Sequence, residues 1–237
     1  MILIGLVFSA AAALQGLSGF GFSLVAVGIL SMLIGPKLAV PLSAVVSAVN
    51  CIYLACLLRR SILFKPALMI TGVAILFVPV GTLFLRDFPR SVIVRTLGVV
   101  VIVVSSLSLV NAKKLRLFAS RPYKYIAGAA SGLLGGAFNI PGPPLVLYSY
   151  NCDWPLRNAM ATLQLMFTAV AATTILSFFL TGLLTPNTAL WGLAYAPVVV
   201  LFSLAGSRIS KKLNVERLGL VTNTVLLLLG ISLLIRG

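Results

Sequence analysis

The chain has 237 residues, of which 60% are hydrophobic and only 9% charged; a soluble globular protein carries about 25% charged residues, so a water-soluble fold is excluded. Eighteen Lys and Arg stand against three acids, a net charge of +15. With no basic helix and no aromatic–basic interleaving, that excess points to loops beside a bilayer and not to nucleic acid. His is absent, and Cys51, Cys56 and Cys152 have neither metal-ligand nor disulfide-framework spacing, so no metal, cofactor or catalytic centre is expected.

Lys, Arg, Pro and Gly punctuate eight apolar units, at about 2–34, 38–58, 66–86, 91–110, 123–150, 158–180, 187–206 and 218–236. The first begins MILIGLVFSA without a basic n-region, so it is read as part of the mature protein and not as a secretory signal. Six units have the length of one spanning helix, about 20 residues. Units 2–34 and 123–150 do not. As one helix the first would run roughly 50 Å against a hydrocarbon core of about 30 Å, too long for one crossing and too short for two. Each holds a glycine cluster near its middle: Gly16, Gly19 and Gly21 in one, Gly132, Gly135 and Gly136 in the other, the latter followed by Pro141, Pro143 and Pro144. Proline removes donors and clashes with the preceding turn, so a break is expected at 132–144, and by analogy at 16–21.

The two clusters align as AAALQGLSGFGFSL and AGAASGLLGGAFNI, pairing Gly16 with Gly132 and Gly19 with Gly135. A Pro-marked turn and three spans follow each, and VPVGT at 78–82 matches SLAGS at 203–207. The expected fold is therefore an all-α polytopic membrane protein of two four-unit repeats, 1–115 and 116–237, in one membrane domain. Charge placement suggests how they lie. Eight single crossings divide the 18 Lys and Arg equally between the two sides, against the positive-inside tendency. If each Gly-rich unit instead dips in and returns, Arg59, Arg60, Lys65, Lys113, Lys114, Arg116, Arg121, Lys124, Arg157, Arg208, Lys211, Lys212 and Arg217 share one side. Only Lys37, Arg86, Arg90, Arg95 and Arg236 share the other. That arrangement leaves three crossings per half and inverts the repeats, each starting with a Gly-rich broken or re-entrant helix, which is a recurrent transporter plan.

A break inside hydrocarbon exposes backbone groups at several kcal/mol each unless protein or a water-filled cavity satisfies them. It also creates helix N-termini whose free N–H groups and positive dipole end favour an anion. Candidate substrate-binding residues are therefore Gly16, Gly19, Gly21, Gly135, Gly136 and Pro141 at the breaks, with Gln15 and Asn139 flanking them. Gln164 and Asn50 lie on the spans that follow, and Asn50, like Asn223, equally suits an interhelical hydrogen bond. Arg95 and Arg157 could attract an anion, although arginines at span ends ordinarily snorkel to headgroups. Gly-x-x-Gly spacing also serves close helix packing. Asp87, Asp153 and Glu216 all fall in loops or at span ends, so no mid-span proton relay is expected.

LQGLSGFGFSLVAVGIL and its echo AGAASGLLGGAFNIPGPPLVLY resemble the two repeat starts of the sulfite exporter TauE/SafE family, over nearly the whole chain. The resemblance implies a multi-pass protein of the cell (inner) membrane that moves small sulfur-containing anions such as sulfite, sulfoacetate and related sulfonates. Its expected partners are the small anionic substrate and the lipid bilayer, and a homodimer is compatible with it. The expected activity is export of such anions, with the site between the two breaks. An ion-coupled importer, an anion channel and a non-transport accessory protein stand as alternatives.

Overall fold

The computed structural model describes residues 2–109, 121–152, 154–209 and 215–236. Lys113, Lys114, Arg116, Lys211, Lys212 and Asp153 lie outside the described residues, as does the 115/116 boundary between the expected halves. The described chain forms eleven α-helices and no strand: α1 Ile2–Ser18, α2 Phe22–Ile34, α3 Pro36–Leu57, α4 Phe64–Asp87, α5 Arg90–Leu109, α6 Arg121–Phe138, α7 Gly142–Asn151, α8 Leu156–Leu180, α9 Pro186–Ala194, α10 Ala196–Ile209 and α11 Val215–Arg236. A 3-10 turn, Arg59–Ser61, links α3 to α4. Within α3, α4, α5 and α8 are segments long and apolar enough to cross a membrane, and α11 has 22 residues.

Both Gly-rich units are broken where a continuous helix would be hardest to hold. The first stops at Ser18 and resumes at Phe22; Gly19 and Gly21 take φ of 82° and 100°. The second stops at Phe138 and resumes at Gly142, with Asn139 at φ 55°. Only Gly, and occasionally Asn or Asp, visits this left-handed region routinely. The closing hydrogen bonds match: Gly19 N–H donates to Gln15 O at 2.7 Å, and Asn139 N–H to Gly135 O at 2.8 Å. After each break the next helix stays in contact with the one before it, α2 with α1 and α7 with α6.

These caps correct the register read from the glycines. The counterpart of Gly19 is Asn139 and not Gly135, and that of Gly16 is Gly136 and not Gly132. Glycines recur here every three or four residues, so a shift of one helical turn leaves the sequence match almost unchanged. The seventh unit differs too. Expected as one span, it is two helices, α9 and α10, bent by 42°. Pro197, in the first turn of α10, has no N–H to continue the ladder from α9, and the next turn restarts with Val199 N–H donating to Tyr195 O.

Helix packing comes in matched sets. Helix α4 packs on α6 and α10 on α1, while α3 meets α8 and α5 meets α11. The contacts are backbone to backbone at glycines. A methyl on Gly16 would overlap the Ser203 carbonyl and lie 3.0 Å from the Ser207 amide; one on Gly136 would overlap the Val78 carbonyl and lie 2.9 Å from the Thr82 amide. Gly206 abuts Ala13 O as Gly81 abuts Leu133 O, and Gly98 and Gly230 face each other's carbonyl oxygens across the α5–α11 crossing. VPVGT and SLAGS are thus the strips that receive the two Gly-rich helices.

Candidate functional site

A chain of buried amides ties the first break to the spans beside it. Asn50 Nδ2 of α3 donates to Gln15 Oε1 at 2.9 Å. Gln15 Nε2 of α1 lies 3.3 Å from Gln164 Oε1 and 3.4 Å from Cys51 Sγ. Gln164 Nε2 of α8 donates to Gly19 O at 2.6 Å, satisfying a carbonyl freed by the break. All three amides are buried. Asn139, at the second break, donates from Nδ2 to Ser47 Oγ at 3.0 Å and to Ser23 Oγ at 3.2 Å. It thereby joins the second break to α3 and to the first turn of α2. Asn50 Oδ1 is buried without a partner among the described residues.

Gln15 stands between two cavities. The larger, about 600 Å³, runs from Gln15, Gly16, Gly19 and Gln164 past Leu54 and Met160 to Leu57, Leu58, Ser207, Arg157 and Arg208. Ligand cavities commonly hold about 300–1,000 Å³. Arg157 and Arg208 are exposed and form no ion pair among the described residues. The smaller cavity, about 40 Å³, lies between the breaks. Gly21, Phe22 and Ser23 line it from one side and Asn139, Pro141 and Gly142 from the other, with Ser47, Cys51 and Phe167 completing it. It has room for about three waters at 10–15 Å³ each. At its wall the amides of Phe22, Ser23 and Leu24 open α2, where a helix has no intrahelical acceptors for its N–H groups. The facing start of α7 carries Pro143 and Pro144, which have no N–H.

Seven of the sequence-derived candidates line these cavities beside one another, or eight with Gly16, which is at once a cavity wall and a packing contact. They are Gln15, Gly19, Gly21, Asn139, Pro141, Gln164 and Arg157. Asn50 reaches the site through Gln15. Gly135 and Gly136 sit at helix contacts, the former against Val170 and the latter against α4. Arg95 is exposed on α5 and lines neither cavity. Sequence reasoning missed Arg208, Met160, Ser47, Ser23 and Cys51. Arg208 left a trace in the charge pattern, which placed it on the same side as Arg157. Among the described residues no group of His, Cys, Asp or Glu could hold a metal ion.

Paired broken helices under a basic-mouthed cavity, in a chain of apolar spans, define a multi-pass membrane protein built on a transporter plan. A model of the family described as "Sulfite exporter TauE/SafE" matches residues 3–233. The chain belongs to this family of membrane transporters and is not an enzyme. It is also 26% identical over 227 residues to a protein of Cupriavidus necator (strain H16) named "Probable sulfite/organosulfonate exporter TauE", covering 93% of this chain and 88% of that relative. No solved structure gives a significant match.

Proposed function

We propose that the chain exports small sulfur oxyanions or sulfonates across the inner membrane, taking them up through the 600 Å³ cavity and passing them between the two breaks. The observation that carries this reading is the cavity itself: two arginines without acidic partners among the described residues at its mouth, and the Gln15–Gln164 wall and the first break at its inner end. The basic mouth concentrates anions. The α2 N-terminus supplies donors for a negative charge that has shed water. The Gln15–Gln164 contact favours a gated carrier over an open pore, because the wall must move before anything passes. A cytoplasm-negative potential drives each negative charge outward by about 2.3 kcal/mol per 100 mV, so export needs no proton relay. The name of the Cupriavidus relative supports the substrate class.

The reading includes two inverted halves, 1–115 and 116–237, each beginning with a dip-and-return pair. Helices α2 and α7 have 13 and 10 residues, roughly 20 and 15 Å, which is short of a core of about 30 Å. The cavity supports the same topology. Leu57 and Leu58 at the end of α3 meet Arg157 at the start of α8 and Arg208 at the end of α10. Eight single crossings would put the end of α3 on the opposite side from both arginines. On this reading the cavity opens to the cytoplasm.

Flux of labelled sulfite, sulfoacetate and taurine in proteoliposomes, with and without an imposed potential, tests the function. The expected result is saturable, potential-sensitive flux of at least one of the two anions. Replacing both arginines (Arg157→Gln with Arg208→Gln) should cut flux at sub-saturating substrate about tenfold through lost steering, with little change at saturation. Absence of saturable flux for all three compounds would overturn the function.

A further inference from the structure

The exposed residues of the cavity are Leu57, Arg157 and Arg208, and its position in one half of a matched set of contacts points to where the other half of the path lies. The break caps pair Gly19 with Asn139 and Gln15 with Gly135. The next contacts pair as well: Gln15 bonds Asn50, while Gly135 abuts Val170 and lies next to Thr174. Helices α3 and α8 start at Pro36 and Leu156, so Lys37 holds the place of Arg157, and Thr174, Ser177 and Phe178 hold those of Leu54, Leu57 and Leu58. The glycine contacts give Thr82 the place of Ser207.

The two sets of residues differ in burial. Leu57 is 53% exposed at the open mouth, whereas Ser177 is 9% and Phe178 0% exposed. Thr174 and Thr82 are also fully buried, and Thr174 Oγ1 has no hydrogen-bond partner among the described residues. An unpartnered hydroxyl deep in a contact costs free energy that water or a ligand would recover. Lys37 is exposed beyond them, its Nζ bonded to Arg86 O at 2.7 Å.

We propose that Thr82, Thr174, Ser177 and Lys37 line the exit half of the anion path, collapsed in this structure, and that Phe178 is the plug that closes it. The inference rests on the inverted-transporter reading given above. When the wall at Gln15 and Gln164 closes, the mirror contacts open; Thr174 and Ser177 then meet the anion, and Lys37 takes the part that Arg157 plays at the entrance.

Thiol labelling tests this without depending on transport. With the three native cysteines replaced by alanine, Ser177→Cys should react slowly with a membrane-impermeant methanethiosulfonate added outside intact cells. Adding Phe178→Ala should raise that rate at least about tenfold by shifting the population toward the open exit. Leu180→Ala, an exposed position two residues on, should leave it unchanged. Cytoplasmic labelling of Arg208→Cys in the Phe178→Ala background reports that the fold is kept, and Phe178→Leu is read in the same way if the alanine variant is not. An unchanged rate in a folded variant, or labelling of Ser177→Cys from the cytoplasmic side, overturns the proposal. Loss of saturable flux with the labelling intact would instead sink the transport reading alone.

Discussion

At the scale of residues, a few buried amides and three left-handed backbone positions, Gly19, Gly21 and Asn139, hold the site together. Gln15, Asn139 and Gln164 were legible in the sequence because uncharged polar side chains stand out in apolar spans. Ser23, Ser47 and Cys51 were not, since small residues in such spans read equally well as packing. Asn139 illustrates the limit: its polarity was visible, but its left-handed backbone was hidden by the glycines a turn earlier. Its two roles separate by substitution. Asn139→Gly keeps φ 55° accessible and loses the bonds to Ser23 and Ser47; Asn139→Ala loses both. Thermal unfolding in detergent should rank parent above Gly above Ala, the second step about 1 kcal/mol from the αL penalty. A methyl on Gly21 would meet nothing within 4 Å, so Gly21→Ala acts through φ alone. It should lower stability by about 1–2 kcal/mol, as should Gly182→Ala at φ 74°, but only Gly21→Ala should also reduce flux. Equal flux in the two variants would remove Gly21 from the path.

At the scale of elements, the unit boundaries read from apolar runs agree with the helices to within a few residues, because in a bilayer the hydrocarbon thickness sets helix length. Both breaks were foreseen from glycine and proline. The bend at Tyr195 was missed although Pro197 stands near the middle of the 187–206 unit, because it lies in an unbroken apolar run without the glycine cluster that marks the other two breaks. The role of Gly16 and Gly136 was only half legible: spacing showed that they matter, and the contacts show each touching the backbone of another helix, Gly16 on α10 and Gly136 on α4. Gly136→Ala should therefore force α6 from α4 and destabilise the protein by about 1–3 kcal/mol. Gly72→Ala, with open space around it, should be neutral or stabilise by up to about 1 kcal/mol through helix propensity. Equal unfolding temperatures for the two variants would contradict the packing role.

At the scale of the whole molecule, the matched contacts tie the fold to the proposed mechanism. The 600 Å³ cavity is lined by Arg157 and Arg208, whereas the positions matched to its outer wall, around Phe178, are buried. Gln15 and Asn50 form a buried amide pair, where the matched contact packs Gly135 on Val170, so one contact is polar and the other apolar. This asymmetry could not be read from the sequence before the one-turn register was known. The proposed topology puts Arg60→Cys within reach of an impermeant thiol reagent only from the cytoplasm, and Thr185→Cys only from outside; labelling of both from one side would break the inverted arrangement. The central claim is that the anion occupies the large cavity, and protection of Met160→Cys, beside Gly19, tests it most directly. In a background without native cysteines, sulfoacetate should slow labelling of this cysteine saturably, with half-protection at the concentration that half-saturates flux. Flux that persists while sulfoacetate leaves the labelling rate unchanged would place the substrate elsewhere.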